Sequence, residues 1–241
     1  MISVKRLIRR SLHKLGWELS RFDCFSSPSL QLVRQLRTHD ITVVLDIGAN
    51  VGQFGERLRD AGFPGRIVSF EASRAAHRCL RGRANGDNSW IIAPRMAIGQ
   101  QDGTATLHLS ANSVSSSLLP MLPAHVAVEP TSVYVGSESV EMRRLDSVAS
   151  EFLSDRDRVF LKSDVQGLEV QVLRGAAGLL DSTIGVQMEL SLTPLYEGEH
   201  LFDAMFHELE DRGFELWALV PGLLDRTTGR LLQVDGIFFR S

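Results

Sequence analysis

One stretch constrains the fold more than any other: Val43-Val44-Leu45-Asp46-Ile47-Gly48-Ala49-Asn50-Val51-Gly52, followed by Ile67-Val68-Ser69-Phe70-Glu71. An apolar run, a glycine-bearing turn, a helical interval and a second apolar run ending in a carboxylate predict two buried strands joined by a crossover helix. In an open parallel sheet that turn lies outside the carboxyl ends of the strands, where ligands bind. An acid after the second strand can accept both hydrogens of a ribose diol there. The pairing of turn and Glu71 predicts a site for an adenosine-bearing cofactor.

The turn itself reads Asp46-x-Gly48-x-Asn50-x-Gly52 and not G-x-G-x-x-G, so the helix-terminal pyrophosphate cradle of a dinucleotide site is missing. Asn50 is suited to left-handed backbone. Gly and Asn in a βα turn are also plain turn chemistry; Glu71 is what directs the reading toward a cofactor.

Strand and helix signals alternate to the end of the chain. The main strands are expected at Ile41–Ile47, Arg66–Glu71, Trp90–Ile98, Val159–Val165, Ile184–Leu190, Phe214–Leu219 and Val234–Phe239. Helices are expected near 53–61, 73–84, 146–153, 168–180 and 200–212, several of them opened by Ser or Asp in capping positions. This alternation predicts an α/β fold with a doubly wound, mostly parallel sheet. Two further strands near 104–109 and 138–143 interrupt it as a small β insertion. The residues between them, with Pro120, Pro123, Pro130 and the serines at 113 and 115–117, read either as a lid or acceptor-binding insertion or as a disordered loop.

The 241 residues, 44% hydrophobic and 23% charged, suffice for one large core. We expect a helical extension over 1–40 and one catalytic domain over 41–241. A net charge of −3 supplies no basic field for nucleic acid. Cys24 and Cys79 match no metal or redox spacing, which suits a reducing compartment. Arg9, Arg10, His13 and Lys14 interrupt any apolar leader, so a cytoplasmic protein is expected. Residues 2–19 nevertheless read as an amphipathic helix, with Val4, Ile8, Leu12, Leu15 and Leu19 at helical spacing. Two uses compete for that stripe: packing on the catalytic domain, or peripheral contact with an anionic membrane.

The second dense motif is Val159-Phe160-Leu161-Lys162-Ser163-Asp164-Val165-Gln166-Gly167-Leu168-Glu169. Three ionisable groups, Lys162, Asp164 and Glu169, crowd the carboxyl end of an apolar strand. Charges there are costly to bury unless paired or used. Lys162 and Asp164 fall on one face of the strand, so Asp164 is open to two readings: a proton acceptor, or the ion-pair partner of Lys162.

Together with Arg144-Leu145-Asp146-Ser147, Leu173-Arg174-Gly175 and Glu189-Leu190, these blocks make the chain, from about residue 41 onward, resemble the FkbM family of S-adenosylmethionine-dependent O-methyltransferases. One departure is Ala72, where the family usually has Pro after the strand-two Glu. The resemblance implies a class I methyltransferase, Rossmann-like sheet of seven strands whose last strand is antiparallel, and methyl transfer to a hydroxyl. Within the family the nearest likeness is to mycobacterial enzymes acting on the terminal fucose or rhamnose of phenolic glycolipids and related p-hydroxybenzoic acid glycosides, which implies a glycolipid or phenolic glycoside acceptor.

The resemblance also implies roles. Asp46, Gly48, Asn50 and Gly52 would shape the methionyl pocket, Glu71 would hold the ribose, and Met96, Ala97 and Ile98 would line the adenine. Asp164 is the expected proton acceptor, with Lys162 and Glu189 beside it. Glu189 could bind the acceptor or, with Asp164, form a thin candidate pair for a divalent ion, and metal dependence is left open. His200 is the alternative base; His108, His125 and His207 are scattered along the chain. Two rival functions stand beside methyl transfer: a nucleotide-dependent oxidoreductase on the same fold, and a cofactor-binding partner subunit without catalysis.

Overall fold

A computed structural model of the chain describes residues 4–17 and 23–240, with residues 4–7 as backbone alone. Helices α1 (Val4–Lys14) and α2 (Pro28–Thr38) come first. Then β1 (Val43–Ile47), α3 (Gln53–Asp60), β2 (Arg66–Phe70), α4 (Arg74–Arg83) and β3 (Trp90–Ile92) alternate. Strands β4 (Ala97–Ile98), β5 (Gly103–Ser110) and β6 (Tyr134–Arg143) follow, with α5 (Pro123–Val128) between the last two. The rest comprises α6 (Leu145–Val148), β7 (Val159–Ser163), α7 (Glu169–Gly175), α8 (Ala177–Leu180), β8 (Thr183–Ser191), α9 (Phe202–Glu210), β9 (Phe214–Pro221) and β10 (Gln233–Arg240).

Seven strands form the main sheet in the order β3-β2-β1-β7-β8-β10-β9. β1, β2, β3, β7 and β8 pair in parallel, and β10 runs antiparallel to both its neighbours. This is the doubly wound α/β class expected, including the reversed last strand. The turns after β1, β2 and β7 therefore meet at one edge, and the strand order reverses between β1 and β7, where open α/β sheets bind ligands. β1 is buried throughout because apolar side chains leave it on both faces. Leu45, Ile47, Leu161 and Met188 enter one core cluster, while Val44, Phe160, Ile237 and Phe239 enter the other under α2, α3 and α4.

The expected strand Trp90–Ile98 is broken. β3 stops at Ile92, the exposed Pro94 interrupts the run, and Ala97–Ile98 joins a separate three-stranded sheet of order β4-β6-β5. Proline has no N–H to give a ladder, so the chain changes sheets there. The helix expected over 168–180 is likewise two pieces meeting at Ala176. Residues 110–137 pack on the domain, Ser117 Oγ donating to Gln166 O (2.7 Å) and Leu122 N to Leu195 O (2.9 Å), and are held together by Tyr134 Oη donating to Leu119 O (2.7 Å). Of the lid and the disordered loop, the structure has the covering segment.

Within the stretch expected as an extension, α2 belongs to the core. Ser27 caps it by accepting from Leu30 N, Pro28 opens its first turn, and Leu32, Val33 and Leu36 are buried with Ile41 and Val44. α1 differs. Ile8 is 49% exposed and Leu15, in the turn after the helix, 73%, so the catalytic domain leaves these two positions of the apolar stripe uncovered. Residues 2–3 and 18–19 of that expected helix lie outside the described residues. Among the described residues no helix is long and apolar enough to cross a membrane.

Candidate active site

The β1 turn holds three residues at positive φ: Gly48 (+73°), Asn50 (+49°) and Gly52 (+94°). Gly48 N and Ala49 N both donate to Phe70 O at 3.0 Å, which ties the turn to β2. A Cβ on Gly48 would lie 1.9 Å from Asp164 O, so only glycine lets the β1 and β7 turns touch. Gly52 serves a different purpose. It opens α3, and a Cβ there would press Leu80, Arg83 and Trp90, away from the cavity. Beside the turn, Glu71 accepts from Asn50 N (2.7 Å, Oε2) and Ser73 N (2.6 Å, Oε1). Burial pushes the Glu71 carboxyl up to about 7, against the pull of these two N–H groups.

Asp46 and Lys162 are register partners on β1 and β7 and form a buried ion pair, Nζ to Oδ1 3.0 Å. Ser69 Oγ donates to Asp46 Oδ2 (3.1 Å) and accepts from Trp90 Nε1 (3.0 Å). Lys162 Nζ also reaches Gly48 O (3.2 Å) and Ile47 O (3.4 Å). Burial opposes the ammonium, but Asp46 and then Asp164 outweigh it and push Lys162 up to about 12. Lys162 thus acts as a cationic tie beneath the turn. Asp46 is wholly buried and supports the turn from below without lining the cavity.

Asp164 stands just past β7 with its side chain 38% exposed, and its Oδ2 is 3.8 Å from Lys162 Nζ. The closer partner of Lys162 is Asp46, so pairing with Lys162 leaves Asp164 available. Gln166, at φ +57°, clamps its other oxygen: Nε2 donates to Asp164 Oδ1 (2.8 Å) and to Glu189 Oε2 (2.6 Å). Tyr196 Oη donates to Gln166 Oε1 at 2.7 Å, which fixes the direction of the amide. Gln233 Nε2 donates to the same Glu189 oxygen (3.0 Å). Burial, and then Asp164, Glu169 and Asp235, raise the Glu189 carboxyl well above its ordinary value, Lys162 opposing the rise. Glu169 closes the turn by accepting from Val165 N and Gly167 N, both at 3.0 Å.

Gly48, Asn50, Glu71, Lys162, Asp164 and Gln166 meet around a cavity of about 240 Å³, while Glu189, expected beside Asp164, stands behind Gln166 and does not line it. Glu71, Met96, Ala97, Ile98 and Leu107 line one end, Gly48 and Asn50 the middle, and Asp164, Gln187, Asp235 and Arg57 the other end. An adenosine with a cationic methionyl tail fits this set. The apolar slot at Met96–Ile98 suits a flat base. Glu71 has lone pairs left after its two N–H partners, and the carboxylates beyond the glycine floor suit a positive charge. Burial pushes Asp235 up to about 6, Asp164 adding to the rise and Lys162 opposing it.

The histidines do not contribute. His125 is buried against Tyr196, His108 stacks on Tyr134, and His200 and His207 are exposed; none lines the cavity. Among the described residues no group of three His, Cys, Asp or Glu side chains could hold a metal ion. Sequence reasoning missed Gln166, Tyr196, Gln187 and Asp235. The signal for Gln187 and Asp235 was a polar residue inside an otherwise apolar strand; for Tyr196, which comes in from a loop, there was none.

Residues 46–216 match the methyltransferase FkbM domain family. The chain is 31% identical over 199 residues to the 2-O-methyltransferase NoeI of Sinorhizobium fredii (strain NBRC 101917 / NGR234), with 79% of each chain covered. Among solved structures, a protein of Klebsiella pneumoniae described as a candidate O-methyltransferase superposes with a TM-score of 0.50 at 13% identity, covering 98% of this chain and 89% of that one. Magnesium protoporphyrin IX methyltransferase (ChlM) of Synechocystis PCC 6803 gives 0.48 at 12% identity, covering 100% and 99%. The chain belongs to the FkbM methyltransferase family and is an S-adenosylmethionine-dependent O-methyltransferase.

Proposed function

We propose that this enzyme methylates a hydroxyl of a sugar, and that the acceptor is the terminal fucosyl or rhamnosyl residue of a glycolipid or phenolic glycoside. The observation that carries the reading is a single cavity with Glu71 toward one end, Asp164 toward the other and the glycine floor of the β1 turn between them. The 2-O-methyltransferase relative supports an oxygen acceptor. Neither an oxidoreductase nor a non-catalytic partner subunit is favoured by that relative or by the family match.

When bound, S-adenosylmethionine supplies an electrophilic methyl group. Glu71 holds its ribose hydroxyls, Gly48 and Asn50 admit its methionyl part, and Met96, Ala97 and Ile98 line its base. Most of the acceleration comes from holding two reactants in register, which recovers roughly 7–11 kcal/mol of barrier. Asp164 accepts the proton that the acceptor hydroxyl loses as its oxygen forms the new bond, a contribution of about 10²–10⁴ in rate. Gln166 and Tyr196 keep the Asp164 carboxylate in place for that step, and Lys162 keeps the turn beneath it from moving. Alanine variants test these roles: Asp164→Ala lowers turnover with cofactor affinity nearly intact, and Glu71→Ala does the reverse. Equal loss of cofactor binding in both would sink the assignment.

For a lipid-linked acceptor, the exposed Ile8 of α1 and Leu15 of the turn that follows it provide peripheral contact with the membrane. Co-sedimentation with anionic vesicles is then lost on removal of residues 1–20. An unchanged bound fraction after truncation refutes the contact.

A further inference from the structure

The cavity continues past Asp164. A second hollow of about 320 Å³ opens on the α2–α3 side of the sheet, and Phe54, Arg57, Gln187 and Asp235 line both spaces. Its polar end carries Gln187, which is only 7% exposed. Asp235 on β10 adds an acceptor beside Gln187 and Arg57 on α3 supplies donors, while Leu32 on α2, with Val220 (the register partner of Asp235) and Pro221 at the end of β9, makes the β9 side apolar. Most of the lining of this hollow lies outside residues 46–216, the segment matched by the family, so it is walls from elsewhere in the chain that shape it.

Resting on the methyl-transfer reading above, we infer that this hollow is the acceptor subsite: it seats a hydroxylated ring against Gln187, Asp235 and Arg57 and an apolar substituent of that ring against Leu32, Val220 and Pro221. The two halves of the acceptor are thereby read by different elements. β8, β10 and α3 hold the ring; α2 and the end of β9 hold the substituent.

Calorimetry on the full chain saturated with S-adenosylhomocysteine tests this, with phenyl and methyl α-L-rhamnopyranosides and α-L-fucopyranosides as probes. At least one phenyl glycoside binds about tenfold or more tightly than its methyl counterpart, the gain expected for burying an aromatic ring. Val220→Trp fills the apolar wall and removes that preference; Pro221→Trp, on the exposed rim, gives a second reading should the first variant fold poorly. Gln187→Leu weakens both members of a pair by a similar factor, about tenfold. No binding of any of the four probes, equal affinity for phenyl and methyl glycosides, or an undiminished phenyl preference in folded Val220→Trp and Pro221→Trp overturns the subsite. Methyl transfer assayed on the same probes separates the two readings. Binding that responds to these variants, without transfer, keeps the subsite and sinks the sugar-hydroxyl reading.

Discussion

Replacing Lys162 by Met removes one member of a buried ion pair and leaves Asp46, which is wholly buried, without its cation. At 3.0 Å the pair has a gross attraction of roughly 5.5 kcal/mol for an effective dielectric of about 20. Desolvation of both charges offsets much of that, yet removing one partner alone costs about 3–5 kcal/mol, because the remaining charge stays buried. That is a large part of the roughly 5–15 kcal/mol by which a domain is stable. Asp46→Asn exposes the opposite imbalance, while the double variant Asp46→Asn/Lys162→Met leaves neither charge. Urea denaturation of the four proteins then gives a coupling of about 2–3 kcal/mol, the double variant being that much more stable than the sum of the singles implies. A Lys162→Met protein of wild-type stability whose turnover alone is lost would refute the reasoning, and so would additive single losses. The first result would make Lys162 a group that acts on substrate; the second would mean that Asp46 and Lys162 do not stabilise each other.

Gly48→Ala places a Cβ 1.9 Å from Asp164 O in a backbone at φ +73°; left-handed strain of about 1–2 kcal/mol and overpacking of about 1–3 kcal/mol give an expected loss of 2 kcal/mol or more in urea midpoint measurements. Glu71, pushed up to about 7 by burial, is an acid below that pH and an ion above it. Because its folded value exceeds the unfolded one, its stability contribution is lost as pH rises from about 4.5 to about 7, while a ribose diol gains its acceptor. Calorimetry therefore shows cofactor affinity rising through about pH 7 in the wild type, and low and flat in Glu71→Gln. Asp164→Asn lowers kcat by about 10²–10⁴ and leaves cofactor affinity within a few-fold, as steady-state kinetics and calorimetry on one preparation establish.

Most of the main sheet was legible because its strands are short apolar runs separated by helical intervals with Ser caps, and parallel strands have few other ways to connect. What was not legible depends on contacts far apart in sequence. Trp90–Ile98 reads as one strand by hydropathy, and its division between two sheets at Pro94 rests on where β6 lies. Glu71 and the Gly48 turn were visible from spacing alone. Asp164 read as a proton acceptor or as the ion-pair partner of Lys162, since the closer partner of Lys162, Asp46 on β1, is known only from the register. Gln166 looked like ordinary turn filler. Its clamp between Asp164 and Glu189 is set by Tyr196, thirty residues away. Asp235 sits in a strand that only the reversed pairing with β8 brings opposite Glu189.

The most direct test of the account is transfer of an isotopically labelled methyl from S-adenosylmethionine to deoxysugar glycosides, followed by NMR of the product. The account predicts label on a single ring hydroxyl of a rhamnoside or fucoside, at a rate that Asp164→Asn lowers by about 10²–10⁴ and Glu71→Gln reduces through cofactor affinity. Label on no glycoside, from a protein that binds the cofactor, would contradict it.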